Sequence, residues 1–258
     1  MVWPGLVRGD VWITGEPTDV YNCVAFSMGY TDRWIREVSP LSAFEALYDD
    51  YGFTVTPYAE GTVDGFGSPD SGPDRGKKMY HASRLSPDPR FSEDGLWESK
   101  LGPQERITHG RNQLCGDVYG SILTSFSPSA GRIRLPDMEP ELTAEERRAL
   151  HGIAVELIAD AALSDEFTRR REAFLAAVAA SPASRIEAFA EFPEFTDLTA
   201  LGERIVPLVV AQLDDPGGFF LLEVLDALAP SAAAVDHDPW TGLQSRARLV
   251  ARAWLAAH

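Results

Sequence analysis

The sequence is short of cysteine, of lysine and of long apolar runs, and each shortage excludes something. Two cysteines, Cys23 and Cys115, among 258 residues cannot build a disulfide framework or a four-ligand zinc site, and they suit a reducing compartment. No stretch approaches the roughly 18 uninterrupted apolar residues of a membrane span. Met1-Val-Trp-Pro-Gly5 carries neither the basic segment nor the apolar core of a signal peptide, so the expected location is cytoplasmic, without a membrane partner. Positive charge is scarce too: 23 Lys and Arg against 39 Asp and Glu leave a formal charge of −16. A phosphate surface would be repelled, which removes nucleic acid as a general partner and leaves a basic or neutral protein or peptide. What is present, 45% hydrophobic and 10% aromatic residues, suffices for a buried core.

Composition shifts near Pro140. Residues 1–140 hold 16 of the 21 glycines and 6 alanines, whereas 141–258 hold 26 alanines and 5 glycines. Both parts are acidic, so charge does not separate their roles. The second part reads as helices. Thr143-Ala-Glu-Glu146 is a capping box, and Leu150, Ile153, Ala154, Ile158, Ala161 and Ala162 recur at helical spacing. Ser164-Asp165 restarts the pattern and Ser181-Pro182 ends it. Further helices are expected over 196–212 with a break at Pro207, then 218–228 and 243–257. In the first part, helices are expected over 20–28 and 41–48, the second capped by Ser39 or Ser42, and a long loop over 61–76. Strands are expected over 77–85, 95–101, 106–108 and 118–126. Helices followed by strands indicate an α+β layout. Expected domains are 1–138, α+β, and 141–258, all-α.

Cys23 lies in Asp19-Val-Tyr-Asn-Cys-Val-Ala-Phe-Ser-Met28, where a polar loop, with Thr18 or Asp19 as cap, runs into an apolar helical segment. A helix start exposes amide donors and partial positive charge, which favour thiolate and can stabilise an oxyanion. A nucleophilic cysteine also needs a base. In the first part the only histidines are His81, at the start of an expected strand, and His109, which reads as a turn residue before Gly110.

Tyr21-Asn-Cys-Val-Ala-Phe26, His81-Ala-Ser-Arg84 and Trp97-Glu-Ser-Lys-Leu-Gly-Pro103 resemble an uncharacterised bacterial domain family patterned Y-N-C-x-A-W, H-x-A-R, W-x-S-K-L-G-P. Phe26 stands where that family has tryptophan. The family is similar in layout to the NlpC/P60 and papain-like cysteine hydrolases, and the resemblance spans about residues 15–125. It implies Cys23 as nucleophile and His81 as general base, with the Asn22 side chain and the Cys23 amide as oxyanion donors. Strand alternation puts Ser99 on one face and Glu98 on the other, so one of them can orient the base; Ser99 belongs to the motif. Leu198-Thr-Ala-Leu-Gly-Glu-Arg-Ile-Val-Pro-Leu208 is similar to a HEAT-like helical module, which implies a protein-binding scaffold or a stabilising appendage.

The expectation is a cysteine-dependent acyl-transfer enzyme of peptidase, amidase or deamidase type, working through a thioester without cofactor or metal. The rival is a non-catalytic interaction, immunity or adaptor protein with a hydrolase-like domain. A zinc site from Cys23, His81 and a carboxylate is disfavoured, because no close ligand pair is present. Cys115, near a turn, is read as structural.

Overall fold

The computed structural model describes residues 5–6, 9–36, 39–68, 78–129, 135–183 and 185–258. The chain divides into two compact units. The first comprises residues 1–32, 36–135 and 182–185, the second 33–35, 136–181 and 186–258. Each borrows a short piece from the other's stretch of sequence, an exchange that the composition shift at Pro140 does not reveal.

The first unit is built on one seven-stranded sheet. Its strands are β1 (Ile13–Gly15), β2 (Phe53–Val55), β3 (Val63–Ser68), β4 (Lys78–Leu85), β5 (Leu96–Lys100), β6 (Arg106–Gly110) and β7 (Ser121–Pro128). Their spatial order is β1-β6-β5-β4-β3-β7-β2, antiparallel throughout. One face carries α1 (Cys23–Ser27) and α2 (Leu41–Asp50). Phe44 and Tyr48 of α2 pack on Phe126 of β7, with Tyr48 stacked on it at 4.3 Å. A Cβ at Gly65 would come within 2.8 Å of the Phe44 ring, so the glycine in mid-strand is what lets α2 approach. The other face carries a separate apolar cluster of Phe66, Leu101, Ile107, Leu114 and Tyr119. Burying each such ring or branched side chain contributes about 1.5–3 kcal/mol.

The second unit is helical, and the described strands all lie in the first. Its helices are α4 (Ala144–Leu157), α5 (Ala161–Ala180), α6 (Pro193–Thr199), α7 (Val206–Val210), α8 (Leu221–Leu228), α9 (Pro230–Ala233) and α10 (Leu243–Ala257); the single-turn α3 (Pro89–Ser92) belongs to the first unit. The capping box forms as read: Thr143 Oγ1 accepts from the Glu146 amide, and the Glu146 carboxylate accepts from the Thr143 amide. Pro207 sits in the first turn of α7, where its missing N–H costs nothing. Trp34 meets Phe220 edge-on at 5.1 Å and Phe219 at 5.7 Å. Asp214, nearly buried, binds both Arg147 and Arg248. Among the described residues, no helix is long and apolar enough to cross a membrane.

Several expectations change. The stretch 63–68, read as loop, is the strand β3; residues 69–76 of that reading, and residue 77 of the strand expected over 77–85, lie outside the described residues. Strands β1 and β2 are additional, so helices do not simply precede strands. The 20–28 segment shortens to a helix from Cys23 to Ser27 with Asn22, not Thr18 or Asp19, as its cap. Pro40 occupies the cap position of α2, while the Ser39 hydroxyl accepts from the Met79 amide instead. Helix α5 is capped by Asp160, three residues before Leu163.

Candidate active site

Helix α1 begins at Cys23. The Asn22 side-chain oxygen accepts from the Ala25 amide at 3.2 Å, closing the helix start and placing Cys23 in its first turn. All five residues of α1 are buried, Cys23 at 0% exposure. The helix packs against β4 and β5. Its Phe26 ring lies beneath two guanidinium groups, Arg84 at 3.9 Å and Arg106 at 5.2 Å from the ring centroid. Phe26 is the position where the motif family has tryptophan, and the residue present keeps an aromatic face for these cations.

Strand register decides what α1 can touch. Arg84 is paired with Glu98, and Lys100 with Arg106, so these four share one face, the face of α1. Ser99 is paired with Ile107 and Trp97 with His109, while Phe66 is paired with His81; these lie on the other face, with Leu101 and Tyr119.

On the α1 face of β5 lies Lys100. Its side chain is fully buried, with the ammonium donating to the carbonyls of Gly102 and Gln104 and lying 5.5 Å from the Tyr21 ring centroid. Burial lowers its pKa to about 8, against the opposing pull of the Cys23 thiolate, Asp19 and Glu105. A lysine in this state is an ammonium that stabilises a neighbouring thiolate, and near neutral pH part of it is free amine.

On the opposite face His81 and His109 share one hydroxyl. Ser99 Oγ lies 2.9 Å from His81 Nε2 and 2.8 Å from His109 Nε2. His109 Nδ1 faces the Gly110 carbonyl at 2.9 Å, which can only accept, so that nitrogen carries the proton. Neutral His109 therefore accepts at Nε2 from the Ser99 hydroxyl. Ser99 in turn accepts from His81 Nε2–H, which leaves His81 Nδ1 as a bare lone pair. That atom is buried without a hydrogen-bond partner among the described residues. The His81 ring stacks on Tyr119 at 4.0 Å, nearly parallel. Burial, then repulsion from His109, holds the His81 pKa well below its usual value; burial lowers His109 to about 4.

The expected pairing of Cys23 with His81 is therefore not formed. No hydrogen bond joins them, since His81 Nε2 is held by Ser99 and Nδ1 has no partner. The physical reason is alternation: His81 projects from β4 to the face opposite Ala82 and Arg84, and α1 lies on the latter. The structure pairs Ser99, not Glu98, with His81, while Glu98 lies between Arg84 and Arg106 at 3.9 and 3.8 Å. Asn22 is at the site as helix cap. His109, read as a turn residue, lies in β6 and inside the relay. Cys115 is half-buried, its thiol pKa raised by burial. Among the described residues no group of His, Cys, Asp and Glu could hold a metal ion. Lys100 was within the quoted motif, and its face was legible from alternation; that α1 occupies this face was not.

No curated protein and no solved structure matches the chain. Residues 12–127, the stretch from just before β1 to the end of β7, match the family described as Domain of unknown function (DUF7689).

Proposed function

We propose that the first unit is a cysteine-dependent acyl-transfer domain, acting on an amide or ester of a protein or peptide, with Cys23 as nucleophile and Lys100 as its charge partner and proton carrier. The observation that carries this reading is the fully buried Lys100 on the face of β5 against which α1 packs with Cys23 in its first turn. The thiolate would attack the carbonyl carbon, and the oxyanion would be met by the Cys23 amide and the Asn22 side-chain NH2, whose oxygen is committed to the cap. Collapse expels the amine or alcohol, which takes a proton from the Lys100 ammonium. Water, giving its proton to the resulting amine, then cleaves the thioester to the free acid and regenerates the thiolate. A pKa of about 8 lets one group serve both steps near neutral pH. A cysteine-bearing helix against an antiparallel sheet supports the papain-like, NlpC/P60-like relationship. Short helices with Gly202 ahead of Pro207 support a HEAT-like scaffold in the second unit.

Acylation tests it. p-Nitrophenyl acetate is expected to give a burst of nitrophenolate and an acetyl group on Cys23 by mass spectrometry, absent in Cys23→Ser and strongly reduced in Lys100→Met. Acetylation confined to other residues would overturn it. One observation favours the second reading, a non-catalytic interaction domain: Cys23 has 0% exposure. On that reading the folded protein leaves Cys23 unacylated until it is unfolded.

A further inference from the structure

Beside β1 an open cleft of about 600 Å³ is lined by Trp12, Thr14, Arg84, Phe91, Glu98 and Arg106. Its floor is the α1 face of β4, β5 and β6. Arg84 and Arg106 both rest on the Phe26 ring, and the carboxylate between them is Glu98, 3.9 and 3.8 Å away and almost buried. Arg106 is held in place by the hydroxyl and carbonyl of Thr14. At the rim a second ion pair, Asp88 with Arg90, closes at 2.6 Å. Among the described residues, Arg84, Arg90 and Arg106 line this cleft with Asp88 and Glu98, a concentration of guanidinium groups on a chain of net −16.

The wall is apolar. Trp12 and Phe91 pack at 5.5 Å, and Trp12 and Ile13 are 44% and 66% exposed, so apolar surface lies open to the cleft.

We propose that this cleft binds an aromatic carboxylic acid, its carboxylate bridging Arg84 and Arg106 and its ring lying against Trp12 and Phe91. Two guanidinium groups match the planar carboxylate, whereas a phosphate dianion would bring twice the charge against Glu98 at close range. The acid has two sources, a free small molecule or the aromatic C-terminus of a peptide, and the probes below separate them. The site does not require the thiol to react, so it stands or falls apart from acyl transfer at Cys23.

Calorimetry with phenylacetate and with N-acetyl-L-phenylalanine reads it, each against its amide and against phenyl phosphate. Either acid is expected to bind, the tighter one naming the source, with its amide about tenfold weaker. Arg84→Met is expected to weaken the acid about tenfold, Glu98→Gln to strengthen it, and Cys23→Ser to leave it unchanged. Because the comparison of acid with amide uses the native protein, a variant that misfolds does not rescue the idea. Equal binding of acid and amide, tighter binding of phenyl phosphate, or no binding of either acid at millimolar concentration overturns it.

Discussion

The Ser99 hydroxyl donates to Nε2 of His109 at 2.8 Å, and this bond fixes the protonation of a second imidazole on the strand beyond. Replacing Ser99 by alanine leaves an N–H of His81 and a lone pair of His109 unpaired in a dry interior. Each stranded group costs about 1–3 kcal/mol. Ser99→Ala is expected to lower the urea unfolding free energy by about 2–5 kcal/mol, and Ser99→Thr, which keeps the hydroxyl, by much less. A loss below about 0.5 kcal/mol for the alanine variant would show that the relay is not formed.

Acid should destabilise the first unit through the same two histidines. Their folded pKa values lie below the unfolded one, His109 at about 4 and His81 in the same direction. Between these and about 6.5 the unfolded chain therefore binds more protons than the folded one. Stability is full above about pH 6.5 and falls as pH drops toward 4, by about 3 kcal/mol from His109 alone. Urea midpoints across this range are expected to decline with acid, and His109→Gln is expected to flatten the decline. A flat profile in the unmodified protein would contradict the burial of both rings.

Asp64 is fully buried and accepts from Arg111 at 2.7 and 2.8 Å and from Ser125 at 2.6 Å. Arg111 is clamped between the rings of Tyr58, at 3.7 Å, and Trp97, at 4.4 Å. Asp64→Ala strands a cation against two aromatic faces and is expected to cost about 3–5 kcal/mol. Arg111→Met should cost a similar amount, and the double variant less than the sum of the two. Additive losses in that cycle would mean the two charges do not depend on each other.

Alkylation of Cys23 should report its coupling to Lys100. With iodoacetamide, the pH at which Cys23 becomes reactive is expected to rise by about one unit in Lys100→Met, because the thiolate loses a nearby ammonium. Cys115, whose environment raises its pKa, serves as the internal reference and should not respond. An unchanged Cys23 profile would remove Lys100 from any role at the thiol.

Much of the helical unit was legible in the sequence, because its signals are local: the capping box at Thr143, the proline at the start of α7 and the boundaries of α10 are set by neighbours within one or two turns. Strand β3 was not. Val63-Asp-Gly-Phe-Gly-Ser68 has turn composition, and what makes it a central strand is distant: Arg111 neutralises Asp64, and Gly67 has no side chain where the Lys78 carbonyl crosses, a position where a Cβ would be 2.0 Å away. At the site, the motif drew attention to Cys23, His81 and Ser99. Alternation correctly separated Ser99 from Glu98, yet which face α1 covers depends on contacts such as Phe26 with Arg84 that no spacing encodes. The same contacts bring forward Lys100, while the pairing of Trp97 with His109 across β5 and β6 brings His109 into the relay.

Residues 33–35 belong by their contacts to the helical unit, and this sets an order of events during synthesis. Trp34 is made well before the rings that enclose it, Phe219 and Phe220, and the glutamine that accepts from its amide, Gln244. Until then the indole lacks the rings that cover it. A nascent chain halted near residue 140 should accordingly be a better client for chaperones than its composition suggests, and completion of α10 should be the event that releases it.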